Sequence, residues 1–97
     1  MIILLLLAFV NPHREPARAI LEEKCGKCHR ADSPDADARA LKVFTLNEID
    51  FAAHMNDQQL RDLLGRFTGE ITSDNDVKPG ELKTIRAFVE RERQRRR

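Results

Sequence analysis

Cys25-Gly26-Lys27-Cys28-His29 is the one run in this chain whose residue types and spacing encode a specific chemistry. It spells C-x-x-C-H, the attachment signature of a c-type haem. Two thiols three positions apart on a helical turn can each add to one vinyl group of the porphyrin. The residue that follows, His29, then lies beneath the iron as the proximal nitrogen ligand. Gly26 and Lys27 let the turn lie against the porphyrin edge. Cys25 and Cys28 are the only cysteines, so the motif uses every thiol in the sequence.

The same pair has other uses in other settings. A thioredoxin-like dithiol needs a βαβ context with the motif opening a helix. Here the motif closes a helical pattern and no strand pattern precedes it. A zinc site would need Cys25, Cys28, His29 and a further His, yet Cys28 and His29 are neighbours, an awkward spacing for one tetrahedral ion. A Cys25–Cys28 disulfide would close a small strained loop. The adjacent His and the absence of any further cysteine favour haem.

Ninety-seven residues make one small domain. Residues 1–10 are all apolar, and the run stops at Asn11-Pro12-His13-Arg14. Ten helical residues cover only about half of the hydrocarbon thickness of a bilayer. The length suits a signal-peptide core, although no basic residue precedes it and no small-x-small cleavage site follows. Residues 1–12 are therefore expected to be an apolar signal peptide or membrane anchor, residues 13–92 a haem domain, and residues 93–97 a basic tail. Attachment of c-type haem follows export, so an export signal agrees with the motif and places the domain in the periplasm or another extracytoplasmic space. The remainder is poor in core-forming residues: its aromatic side chains are four Phe, with no Trp or Tyr. A large apolar cofactor would make up that deficit. Residues 91–97 hold five Arg and one Glu, a net +4, so the rest of the chain carries −3 against a total of +1. Such a tail is an ordinary solvated helix end or a contact for anionic lipid or an acidic partner. No aromatic residue interleaves with it, which argues against nucleic acid. Asp74-Asn75-Asp76 lacks the glycine and distal Glu of a calcium loop and reads as a solvated turn.

Helical periodicity organises the rest. A first helix is expected from Pro16 into the haem motif, with Ala17, Ile20, Leu21 and Lys24 at helical spacing. Asp32, Ser33, Pro34 and Asp35 form a turn cluster, followed by a short helix over 36–43. Residues 44–51 fit neither period and read as a loop packing Phe44, Leu46, Ile49 and Phe51 on the haem. A middle helix starts at Asn56-Asp57, carries Leu60, Leu63, Leu64 and Phe67, and ends around Gly65 and Gly69. The last helix opens at Pro79, with Leu82, Ile85, Phe88 and Val89 on one face. No strand alternation occurs, so the class is all-α, with three to four helices packed around one covalently attached haem.

That order, a first helix closing in Cys25, Cys28 and His29, a loop, a middle helix and a terminal amphipathic helix, resembles a small single-haem cytochrome c over about residues 16–92. The resemblance implies that the first and last helices cross, Ala17, Ile20 and Leu21 meeting Ile85, Phe88 and Val89. It also implies a Met as sixth iron ligand and a Pro whose backbone oxygen holds the proximal His ring. Pro34 is the only nearby proline. The family's Gly-Pro-Leu stretch is missing and the segment from His29 to the next Met is short. Besides Met1, Met55 is the only thioether, set just before the N-cap of the middle helix. There it would ligate iron or pair with Leu60 as a hydrophobic staple. His54, next to it, is the alternative ligand, with His13 further upstream; an open or water-bound iron is the remaining choice. Arg39, Lys42, Arg61 and Arg66 are the candidate donors to the haem propionates.

The expected function is single-electron transfer by one covalent haem c, as a shuttle or as the haem subunit of an exported redox complex, with redox proteins as partners and possible membrane association through residues 1–10. The alternative is a ligand-binding or sensing haem domain with an open or displaceable sixth site. A peroxidase-like enzyme would need an acid–base residue over the iron, for which His54 is the sole candidate. No nucleophile–base pair or carboxylate dyad points to another enzyme.

Overall fold

The computed structural model describes residues 11–69 and 77–95. The apolar run 1–10, the Asp74-Asn75-Asp76 turn and the last two residues of the basic tail lie outside them. Among the described residues there are four helices and no strand: α1 (Arg14–His29), α2 (Ala38–Val43), α3 (Asp57–Thr68) and α4 (Pro79–Arg95).

Each helix starts where local chemistry satisfies its first N–H groups. α1 begins two residues before the expected Pro16, because Asn11 folds a turn ahead of it. The Asn11 carbonyl accepts from the Arg14 N–H at 3.0 Å, and its Oδ1 accepts from the His13 N–H at 3.0 Å. Pro16 is then the third helical residue, still inside the first turn, where a missing N–H costs nothing. α2 starts at Ala38 rather than residue 36, since Asp37 Oδ1 caps it by accepting from the N–H groups of Arg39 and Ala40 at 2.8 and 3.3 Å. α3 carries a full capping box. Asn56 Oδ1 accepts from the Gln59 N–H at 2.8 Å, and Gln59 Oε1 accepts from the Asn56 N–H at 2.9 Å. Gly65 does not end this helix; it is buried inside it. Gly69 ends it in the left-handed region at φ 87°, its N–H donating to the Gly65 carbonyl at 3.1 Å.

α4 packs on both α1 and α3. α1 and α4 run antiparallel. Asn11, before the start of α1, reaches Phe88 and Glu92, while Lys24, near its end, lies 3.6 Å from Glu81 at the start of α4. Ala17 and Leu21 meet Ile85, Phe88 and Val89 in the core, with Ile20 half-buried beside them. Leu60, Leu63 and Phe67 add the α3 face.

The stretch 44–51 departs from expectation. Phe44, Leu46 and Phe51 are buried, but Leu46 and Phe51 belong to the helix core, with the Phe51 ring stacked on Phe88 at 5.3 Å. Ile49 points outward and is 77% exposed. Arg18 of α1 fastens this loop: its guanidinium donates to the carbonyls of Leu46, Glu48 and Ile49 and lies over the Phe51 ring. The expected loop is present, and one α1 arginine, not a local repeat, organises its carbonyls. No helix among the described residues is long and apolar enough to cross a membrane.

Candidate haem site

The last turn of α1 presents its two thiols unequally. Cys25 is half-buried and Cys28 exposed, and both are free thiols. Burial pushes the Cys25 thiol up from its usual range, against the opposing pull of the Arg66 guanidinium, so it stays protonated at neutral pH. Gly26 between them is buried, and a Cβ there would meet the Arg30 side chain at an ordinary 3.7 Å.

His29 is held from one side. Its Nδ1 lies 3.0 Å from the Phe44 carbonyl oxygen, and its ring stacks on the Phe44 ring at 3.7 Å with an interplanar angle of 2°. The backbone oxygen that orients the imidazole therefore belongs to Phe44, not to the expected Pro34, which is exposed. The loop is brought there by the Leu46 N–H donating to the His29 carbonyl at 2.9 Å. Burial lowers the His29 pKa, with the Phe44 carbonyl opposing. The ring is neutral at pH 7, donates Nδ1–H to Phe44 and keeps the Nε2 lone pair for a metal.

Cys25, Cys28 and His29 open onto one cavity of about 770 Å³. Met55 lines the same cavity from just ahead of α3, buried and set at the N′ position of the capping box. Met55 and Leu60 both belong to the core, so the staple position and the cavity position are compatible. Val43, Phe44, Leu63 and Phe67 supply apolar wall. Lys24, Arg39 and Arg66 supply positive charge, with Asp37 and Asp62 opposing it. Of the four propionate donors read from the sequence, Arg39 and Arg66 line the cavity. Lys42 and Arg61 do not; Arg61 instead pairs with Asp57 at 3.1 Å. Lys24 was missed because its helical spacing marked it as part of the α1 face and nothing local distinguished it. His54 is exposed and outside the cavity lining, and His13 sits at the far end of α1.

The lining and volume are those of a candidate ligand site. The volume falls within the roughly 300–1,000 Å³ of ligand sites. Two thiols, one neutral imidazole nitrogen, one thioether and cations for two carboxylates share one hollow. Among the described residues no three His, Cys, Asp or Glu side chains gather around one point.

Compared with known proteins, the chain matches no family model, no curated protein and no solved structure.

Proposed function

We propose that this protein is a one-electron carrier of the small cytochrome c type, with a single haem c joined through thioethers to Cys25 and Cys28 and ligated by His29 and Met55. The observation that carries the reading is the shared lining: Cys25, Cys28 and His29 of the C-x-x-C-H motif and the only thioether among the described residues border one cavity. When bound, the haem supplies an Fe(III)/Fe(II) couple that gains or loses one electron with no bond to substrate. The chain's residues set the terms of that couple. The Phe44 carbonyl fixes the His29 ring, so the ligand changes little between oxidation states. A thioether ligand and the Leu63 and Phe67 wall favour the reduced iron by limiting negative charge and water around it. Arg39 and Arg66, which make no ion pair among the described residues, are suited to receive the propionates. The work is assigned to the periplasm or a comparable compartment, where such haems are attached, with redox proteins as donor and acceptor.

The test is expression in a host that attaches haem c to exported chains. Intact mass should rise by one haem, and the colour should survive acid–acetone extraction. Met55→Ala should abolish the sulfur–iron(III) charge-transfer band, lower the reduction potential and let carbon monoxide bind the reduced protein, which the parent resists. A haem-free product, or colour lost on extraction, defeats the proposal. Rapid carbon monoxide binding by the parent would move the assignment to a ligand-binding haem domain.

A further inference from the structure

One guanidinium of α1 holds much of the 44–51 loop. Arg18 Nη1 donates to the Leu46 carbonyl at 2.5 Å, and Nη2 to the carbonyls of Glu48 at 2.8 Å and Ile49 at 2.5 Å. Its Nε lies 3.3 Å from Glu15, which pairs the charge, and its side chain is only 17% exposed. The guanidinium carbon sits 5.0 Å from the centre of the Phe51 ring. Only a planar fork of donors can span three carbonyls and cover a ring at once; a lysine ammonium is a point donor and cannot.

Two routes lead from this clasp to His29, about 16 Å further along α1. The first is the backbone of Leu46, whose carbonyl accepts from Arg18 and whose N–H donates to the His29 carbonyl at 2.9 Å. The second is a file of rings. Arg18 covers Phe51, the Phe51 and Phe44 rings lie 6.1 Å apart, and Phe44 stacks on the His29 ring at 3.7 Å. Between the two routes lies the Phe44 carbonyl, 3.0 Å from His29 Nδ1. Another tie to the loop, Asn47 Oδ1 accepting from the Ala31 N–H at 2.7 Å, is exposed, so water competes for it. The partner of the imidazole is thus a loop carbonyl, and its place depends on what holds the loop.

We propose that Arg18 is a positioning residue for the His29 imidazole: by fixing the carbonyls of residues 46–49 and the Phe51 ring, it keeps the Phe44 carbonyl on Nδ1 and so sets the donor strength of Nε2. Its effect at the metal rests on the reading of His29 as the iron ligand. The contact of the ring proton with Phe44 is a property of the chain itself.

The experiment compares the parent with R18K and R18Q, all expressed in the haem-attaching host. Nitrogen-15 NMR of the reduced protein follows exchange of the His29 Nδ1 proton with solvent, and redox titration gives the potential. Both variants should exchange that proton roughly tenfold or more faster than the parent, the scale of one lost hydrogen bond. Both should show a raised potential, because an imidazole without its carbonyl partner is a weaker donor to Fe(III). The sign separates this effect from charge: R18Q removes a cation, which alone favours the oxidised iron and lowers the potential. R18K keeps the charge and the aliphatic stem, so it gives the answer where R18Q does not fold. Unchanged Nδ1 exchange in R18K would overturn the proposal, as when the Ala40 carbonyl, which also bears on the ring, takes the proton over. So would rapid exchange in the parent, or a lowered or unchanged potential in R18K. A parent without haem defeats the electron-carrier reading, while the Nδ1 exchange of parent and R18K still decides the role of Arg18.

Discussion

His29, the proposed iron ligand, is oriented by the protein before any metal is considered. Its lowered pKa favours the neutral ring, and its Nδ1 contact with the Phe44 carbonyl selects the tautomer that offers Nε2. The charge around it is also local: Arg66 borders the same cavity and bears on both His29 and Cys25. A cation beside a redox centre disfavours the more positive oxidised form. Arg66→Gln is therefore expected to lower the reduction potential of the haem-loaded protein by roughly tens of millivolts, measured by redox titration. An unchanged potential would mean that this guanidinium is screened from the iron.

At the scale of elements, the site depends on two helix starts. The capping box of α3 fixes the backbone one residue beyond Met55. Asn56→Ala should cost about 1 kcal/mol and lower Tm by roughly 4–8 °C in a domain of this size. It should also weaken the sulfur–iron band, because Met55 loses its fixed approach. The start of α4 is held differently. Glu81 accepts from the Lys78 N–H at 3.0 Å and lies beside Lys24 of α1. The Lys78 N–H and then the lysine charges keep its carboxyl below the ordinary range. A depressed folded pKa adds stability above the unfolded pKa of about 4.3, and that stability is lost as pH falls through the folded value. Glu81→Gln should melt below the parent at pH 7, and the gap should close as the pH falls through the depressed folded pKa of Glu81. A constant gap across that range would assign the loss to packing instead.

On the scale of the whole molecule, one core serves two purposes. Leu21, Ile85, Phe88 and Val89 join α1 to α4, while Phe44, Met55, Leu63 and Phe67 are shared between that core and the cavity. A chain this small has little apolar surface to spare. Phe44, Met55, Leu63 and Phe67 are buried in the core yet border the cavity, so a large apolar occupant would add to their packing. The haem-free double variant Cys25→Ala, Cys28→Ala is expected to lack a cooperative thermal transition by circular dichroism. A sharp melt would show that the four helices are self-sufficient.

Composition and local pattern by themselves determined the helical class, the order of the four helices and the C-x-x-C-H motif, because caps, apolar stripes and ligand spacing are short-range features. The α1–α4 contact through Ala17, Leu21, Ile85, Phe88 and Val89 was implied only by the resemblance to small cytochromes c, not by local pattern. Tertiary structure alone decided the rest. Nothing within a few residues of Phe44 marks its carbonyl as the partner of His29, nor Arg18 as the clasp of the 44–51 loop. Met55 and His54 are sequence neighbours, the first the expected ligand and the second its alternative, and only packing turns one inward and leaves the other in solvent. Glu92 reads as one charge in a basic tail until Asn11, 81 positions away, is laid against it. These are long-range pairings, set by how the helices cross, and no local spacing encodes a crossing.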